Sequence, residues 1–511
     1  MKKTSKLSTW QLMLISTGGM IGAGWLFSPY YGFQTAGIGV LLSWAIVTLI
    51  TLIIGISFAE VITIAPIVGG LSRFIGITHN RTISFVFLAL GWLSFVVYLP
   101  IEAQSAIQYL SFWFGDLVTQ SDRGTILSRQ GLAVGLLIII LLTWFNSFLL
   151  KNVAKVNSVI SIWKILIPLA IAWFLILSFG EWKNVDFIRE QQNFSFEKVL
   201  LAITGSGMAF AFTGFQNGLI LANSAKDPKR AMPYSLFSPI IVGFLLYSSL
   251  SLIFITCLGD KQMPSGSAAP LLGIVSLFGI HVIINILFID AVIAPLGTAS
   301  VYTAVTARIL FGLGKVFFPK SSLNKLNKFS APVVCLWINA VVGSLFLLPL
   351  PTWQELVDFL SSVVVFSYLA GPISLIILRE DFPSLPRPFK VWNYQIIGYA
   401  GFVCCSLLIY WSSLNNLIYL AVFSVILIAV YGFFIDKTKN SKILTNFFIT
   451  AYLATLAAIK FSHKNQLIEF PFDNLLVIFS SIIFCKIFLA QRISKKEIEA
   501  NLEKISHEKN E

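Results

Sequence analysis

Charge is scarce in this chain: of 511 residues only 12% are Asp, Glu, Lys or Arg, while 57% are hydrophobic. A water-soluble protein of this length carries about twice that charged fraction, and one soluble core could not enclose so much apolar surface. Histidine is nearly missing, with 4 in the chain, and the four do not cluster. The five cysteines (Cys257, Cys335, Cys404, Cys405, Cys485) sit in or near apolar runs without metal-type spacing. They read as small apolar fillers, and neither a disulfide nor a metal site is implied. There is no Walker loop and no pair of carboxylates in one loop, so no enzyme activity and no cofactor is expected. No stretch is long enough to form a separate soluble domain.

What is present is a succession of apolar runs near twenty residues. At about 1.5 Å per residue each can cross a hydrocarbon core about 30 Å thick. The pattern predicts an all-α polytopic membrane protein with spans near 10–33, 38–62, 83–112, 132–150, 155–179, 198–222, 234–258, 280–307, 331–349, 355–378, 394–413, 416–435, 443–460 and 474–491. That is about fourteen, with twelve as the lower count. The net charge of +13 follows the loops. Alternate connections hold Lys2, Lys3 and Lys6; Arg73 and Arg81; Lys151 and Lys155; Lys226, Lys229 and Arg230; Arg308 through Lys328; Arg379, Arg387 and Lys390; and Lys437, Lys439 and Lys442. The intervening loops are poor in Lys and Arg. This is the positive-inside pattern, so the basic excess orients the chain and no nucleic-acid partner is expected. An even span count puts both termini in the cytoplasm. The first apolar run is read as a span and not as a removable signal, because Gly18, Gly19, Gly22 and Gly24 interrupt it and further spans follow.

The informative positions are those that cost free energy in lipid, since they need protein partners or a water-filled cavity. Span 1 contains Thr17-Gly18-Gly19-Met20-Ile21-Gly22-Ala23-Gly24-Trp25-Leu26-Phe27. Each glycine weakens a helix by about 1 kcal/mol relative to alanine. Such a stretch serves either a close helix contact or a local unwinding that frees amide and carbonyl groups. Span 6 contains Thr204-Gly205-Ser206-Gly207-Met208, followed by Phe210-Ala211-Phe212-Thr213-Gly214-Phe215-Gln216. Interrupted spans at positions one and six are what two inverted five-helix repeats leave in a sequence, and such a pair marks a midplane site.

Three ionisable residues fall inside spans. Lys164 lies about six residues past the start of span 5, near 9 Å into the apolar zone. Its ammonium either snorkels back to the surface or sits buried, with its proton coupled to transport. Glu102 lies in span 3 and Asp290 in span 8, each as structural glue or as part of a proton pathway. Glu60, near the inner end of span 2, reads as structural or gating.

Gly22-Ala23-Gly24-Trp25-Leu26-Phe27 resembles the first-span signature of the amino acid–polyamine–organocation (APC) superfamily. Phe212-Thr213-Gly214-Phe215, with Lys226-Asp227-Pro228-Lys229-Arg230-Ala231-Met232-Pro233, is similar to its sixth-span signature and the basic loop that follows. Gly69-Gly70, Thr306-Ala307-Arg308 and Arg387-Pro388-Phe389 agree as well. The likeness covers roughly residues 8–435. Pro100-Ile101-Glu102-Ala103, Ala106-Ile107-Gln108-Tyr109 and Asp290-Ala291-Val292-Ile293-Ala294-Pro295 are similar to the aspartate–proton symporter group within it.

The resemblance implies the five-plus-five inverted-repeat (LeuT-like) fold with broken spans 1 and 6. It implies that amides around Gly22, Ala23 and Gly24 bind a substrate carboxylate, and that carbonyls near Met20, Phe210 and Ala211 bind its amine. Ile21, Thr213 and Gly214 complete that set, with Phe210 as an aromatic gate. Lys164 matches the span-5 lysine that replaces a sodium site in proton-coupled members. Ala23 departs from a common Ser, and Gln216 from a common Glu. The second change moves proton coupling toward Lys164 or Glu102, with Asp290 a further candidate, and mildly favours an acidic substrate.

The domains expected are a cytoplasmic N-terminus (1–9), a first repeat (10–180), a second repeat (197–378), spans 11–12 (394–435), spans 13–14 (443–491) and a charged, solvated cytoplasmic helical tail (492–511). Spans 13–14 are expected to pack peripherally or mediate homo-oligomers. The function implied is import of an amino acid, aspartate or glutamate, by proton symport across a bacterial inner membrane. Exchange of an amino acid for its metabolite, or symport of neutral or basic amino acids, are the alternatives. The partners are then the substrate, protons and lipid.

Overall fold

The computed structural model describes residues 8–64, 71–122, 124–148, 153–191, 194–217, 228–259, 268–348, 351–435 and 446–508. Gly69-Gly70, Lys226-Asp227 and the loop lysines 2, 3, 6, 151, 437, 439 and 442 lie outside them. Helix dominates, and the described strands form one hairpin after span 3, Val118–Ser121 against Gly124–Leu127.

Among the described residues ten helical segments are long and apolar enough to cross a membrane, from Gly24–Ile64 to Phe472–Ala490. Large apolar side chains face outward, Leu177 at 79% exposure and Phe479 at 65%, as lipid contact requires. With the interrupted and shorter rods the order is span 1 (Thr9–Met20, Gly24–Ala36), 2 (Val40–Ile64), 3 (Arg81–Val96, Tyr98–Leu110), 4 (Arg129–Asn146), 5 (Val153–Phe179), 6 (Phe196–Gly205, Met208–Ala211) and 7 (Pro228–Cys257). Then come 8 (His281–Phe317), 9 (Val333–Leu345), 10 (Trp353–Tyr368, Ala370–Asp381), 11 (Tyr394–Trp411), 12 (Leu414–Val430), 13 (Phe448–Lys464) and 14 (Phe472–Ala490). Each predicted span thus has a helical counterpart. Span 9 has 13 helical residues, about 20 Å. Span 13 carries Lys460, His463 and Lys464 in its last turns, which dilutes its apolar signal.

Local chemistry starts these helices where they start. Ser8 accepts from the Gln11 amide, with Gln11 returning to the Ser8 backbone, and Thr352 and Glu355 form the same box at span 10. Asn80, Ser128, Ser195 and Ser413 cap spans 3, 4, 6 and 12, each contributing about 1 kcal/mol.

Span 1 packs against spans 5, 6 and 7, and span 3 against spans 8 and 10. At the inner face, the side from which span 1 starts, buried Glu60 joins span 2 to span 10. Its Oε1 lies 2.7 Å from Arg379 Nε and 2.9 Å from Arg387 Nε. Its Oε2 accepts from Arg379 Nη2 at 3.0 Å and from the Val391 amide at 2.7 Å.

The tail differs from its expected solvated state. Helix Lys495–Glu508 buries Ile498 completely, and Asn501 Nδ2 donates to the Ile77 carbonyl at 3.2 Å. The Ile493 amide donates to Thr78 O, and His79 bridges to Arg492. The sequence shows the charge of this helix but not the apolar row, Ile498, Leu502 and Ile505, that packs on the core.

Two predictions follow from these joints. Glu60→Ala strands two guanidiniums in a closed site, and breaking a buried pair costs about 3–5 kcal/mol; thermal unfolding in detergent should show a large loss of stability, and an unchanged midpoint would refute the buried network. Burial pushes the His79 imidazole down to about 4, against an accepting Phe488 carbonyl. His79 is therefore neutral when docked and is charged when released below pH about 6.5. Docking should be at full strength above that pH and weaken as pH falls from 6.5 toward 4, by at most about 1.4 kcal/mol per unit. Exchange protection of the tail helix, corrected for intrinsic rates, should drop over that window in the parent chain and stay flat in His79→Gln.

Candidate functional site

The break in span 1 is narrower than its glycine run. Helix continues through Gly18 and Gly19, where a Cβ would strike Ser161 and Asn217, so these two serve close packing. The chain leaves helical geometry at Ile21 (φ −83°, ψ 83°) and re-enters it at Gly24. In span 6 the break falls at Ser206 and Gly207, the latter at φ +75°, and again at Phe212–Phe215, with Gly214 at φ +106°.

The two breaks touch. A Cβ on Gly24 would lie 2.8 Å from Ala211 Cβ, and one on Gly214 would lie 2.7 Å from the Gly19 carbonyl. Met20, Ile21, Gly22, Ala23, Gly24, Phe210, Ala211, Thr213 and Gly214, all named from the sequence, thus converge, and all are buried.

Interrupted helix leaves backbone groups without intrahelical partners, and the neighbouring spans supply them. Tyr302 Oη donates to Gly19 O at 3.2 Å, Thr298 Oγ1 to Ile21 O at 3.3 Å and Tyr109 Oη to Leu26 O at 3.1 Å. The Ala23 amide donates to Glu102 Oε1 at 3.2 Å. Tyr247 Oη, from span 7, bridges Ala211 O at 2.9 Å and Met20 O at 3.4 Å. Tyr98 Oη donates to Thr213 Oγ1 and its ring stacks on Tyr302 at 3.8 Å, while Thr213 Oγ1 itself reaches Phe210 O.

Tyr98, Tyr247, Thr298 and Tyr302 were not singled out by sequence reasoning. Their signal is spacing: Asp290, Thr298 and Tyr302 repeat at multiples of four, and Tyr98, Glu102 and Tyr109 at four and seven. That spacing places each set on one helix face.

The ionisable trio assembles around the same backbone. Lys164 is buried and its Nζ donates to Thr298 Oγ1 at 2.6 Å, which excludes the snorkelling alternative. Glu102 and Asp290 are both buried and both close enough to attract the ammonium. Glu102 Oε2 has no hydrogen-bond partner, neither Asp290 carboxyl oxygen has a partner in good hydrogen-bond geometry, and the Trp163 N–H and Lys164 are the polar groups facing Asp290. Sequence offered these three as alternatives; the fold makes them one cluster behind the span 1 break. Gln216 stays beside the site, its Oε1 accepting from the Gly214 amide at 3.0 Å while its Nε2 has no partner.

Above the breaks, Phe210 packs against Tyr98 (5.5 Å) and Trp353 (6.1 Å), and Trp353 against Phe27 (4.6 Å). These rings cover the breaks. The cavity beside span 6, lined by Val47, Thr51, Phe212, Thr213 and Tyr368 among others, holds about 20 Å³, room for one water. Entry of anything larger requires the bundle to move.

Two interrupted spans that expose backbone to each other inside a lipid-facing helical bundle define a multi-pass membrane transporter of the five-plus-five inverted-repeat class. The manganese transporter of Eremococcus coleocola has the same fold: it superposes with a TM-score of 0.54 at 15% identity, covering 94% of this chain and 95% of that one. Residues 7–456 match the model of the amino acid permease family, and the chain belongs to that family. Among its relatives are the glutamate/serine transporter AimA of Bacillus subtilis (28% identical, covering 94% of this chain and 92% of the relative) and the aspartate-proton symporter of the same organism (26%, 93% and 94%). The branched-chain amino acid permease BcaP of B. subtilis is 24% identical, covering 86% and 94%. The chain is thus an amino acid transporter and not an enzyme.

The tight contact of the breaks gives a test. At φ +106° an alanine is strained by about 1–3 kcal/mol, and at position 214 its Cβ would also strike the span 1 backbone. Gly214→Ala should cut amino acid uptake into proteoliposomes at least about tenfold, the equivalent of 1.4 kcal/mol. Gly205→Ala, whose Cβ meets nothing within 4 Å, should leave it unchanged.

Proposed function

We propose that this permease imports an acidic amino acid, aspartate or glutamate, together with protons, by alternating access. The observation that carries the reading is the Lys164 ammonium bonded to Thr298, which itself bonds the Ile21 carbonyl. A titratable cation joined through one hydroxyl to the unwound backbone can tie its proton to the conformation of the substrate site. In this reading the amides of Gly22, Ala23 and Gly24 take the substrate carboxylate and the carbonyls of Met20, Phe210 and Ala211 its amine. These partners suit the positive and negative ends of the half-helices. Phe210 closes over the bound substrate.

The acidic substrate is supported by the names of two relatives, one a glutamate/serine and one an aspartate-proton transporter. The neutral Gln216 beside the breaks adds no negative charge to repel a second carboxylate. Each proton moved inward gains about 2.3 kcal/mol per 100 mV of membrane potential, and it keeps the complex of an anionic amino acid near neutral. The basic loops support cytoplasmic termini, and the bacterial relatives support a bacterial inner membrane.

The test is uptake of labelled L-aspartate and L-glutamate into proteoliposomes that are alkaline and negative inside, with leucine and arginine as comparators. Accumulation that collapses with a protonophore and disappears in Lys164→Ala is expected. Uptake that needs preloaded internal amino acid and ignores the pH gradient would establish exchange instead. Uptake of leucine or arginine alone would retain the coupling and replace the substrate.

A further inference from the structure

We infer that Glu102 is a tethered competitor for the substrate's α-carboxylate, a built-in carboxyl oxygen that holds the Ala23 amide and must release it before an amino acid can load. The inference rests on the reading that the span 1 amides receive that carboxylate. A backbone N–H carries one hydrogen, and that of Ala23 is given to Glu102 Oε1 at 3.2 Å. The carboxylate also lies flat against the neighbouring residue. A Cβ on Gly22 would strike Glu102 Oε1 and come within 3.1 Å of Glu102 Cδ. Glu102 therefore occupies both the donor and the volume in front of it.

The opposite pole of the site behaves differently. Ala211 O accepts from Tyr247 at 2.9 Å, but a carbonyl oxygen has two lone pairs, so an ammonium can bind alongside the tyrosine. The amine of an incoming amino acid can add to the site, whereas its carboxylate has to displace a residue.

Displacement is feasible because Glu102 is lightly held. Its bond to Ala23 is long for a charge-assisted one, and Oε2 has no partner. The groups that sense its charge are Lys164 from span 5, Tyr302 from span 8 and Tyr247 from span 7. Of these Lys164 alone is a cation, and it gives the displaced carboxylate an attractive place to go.

The test is equilibrium binding to the purified full chain, using whichever amino acid the uptake assay identifies. Every α-amino acid presents the same α-carboxylate, so a wrong substrate class leaves this test intact. Glu102→Gln keeps the shape but removes the charge, and Glu102→Asp keeps the charge but withdraws it by one methylene. Both should bind amino acid more tightly than the parent, Glu102→Gln by about fivefold, the difference of about 1 kcal/mol between a charge-assisted and a neutral hydrogen bond to the Ala23 amide. Unchanged or weaker binding in Glu102→Gln would overturn the inference, since Glu102 would then assist the substrate. Tightening in Glu102→Gln alone would also overturn it, because charge at a distance, and not occupancy of the Ala23 amide, would be responsible. Thermal unfolding of each variant establishes that the folded protein is being compared.

Discussion

Backbone groups taken out of helix in the middle of a membrane protein must find partners, because no bulk water reaches them. The arrangement of this molecule around spans 1 and 6 follows from that requirement. Tyrosine and threonine hydroxyls from spans 7 and 8 arrive at the carbonyls of Gly19, Met20, Ile21 and Ala211. A carboxylate arrives at the Ala23 amide. These contacts come from side chains and not from continuous helix, so they can be exchanged one at a time. Rigid spans thereby hold a segment whose hydrogen bonds can be swapped, as a transporter site requires.

The same logic explains why charge is concentrated where it is. Lys164, Glu102 and Asp290 sit on three different spans, yet they meet behind one break. Burying any of them alone would be prohibitive; together, and next to polar backbone, they reduce that cost. A second buried set, Glu60 with Arg379 and Arg387, lies at the inner end of spans 2 and 10. Its partners are fixed by a bidentate fork and several backbone carbonyls, whereas the midplane cluster leaves three carboxyl oxygens without a partner in good hydrogen-bond geometry. The inner set pairs one carboxylate with two guanidiniums and fastens the fold. The midplane set is unsaturated and has capacity left for a ligand or a proton.

Much of this was legible in the sequence. The apolar runs located most spans to within a few residues, though span 8 runs ten residues past its expected end to Phe317, and the glycine-rich stretches placed both breaks. The candidates on Met20–Gly24 and Phe210–Gly214 converge as expected. What periodicity could not reveal was which polar residues on intact helices turn toward the breaks. Tyr98, Tyr247, Thr298 and Tyr302 look like ordinary components of apolar spans until the packing of spans 3, 7 and 8 is known. Nor could spacing along the chain decide whether the stem of Lys164 points to the surface or inward. That depends on span 8 offering Thr298 at the right height. The tail misled for a related reason, since three apolar residues among many charges suffice to dock a helix once a matching surface exists.

That docking has a consequence for how the molecule is made. The bond between Asn501 and Ile77 spans 424 residues, and synthesis proceeds at about 5–20 residues per second. The loop before span 3 therefore emerges about 20–85 s before the helix that covers it. Until then the surface around Ile77 and Thr78 is uncovered. A chain cut short before residue 493 would insert its spans yet keep that apolar surface for quality-control proteases to find.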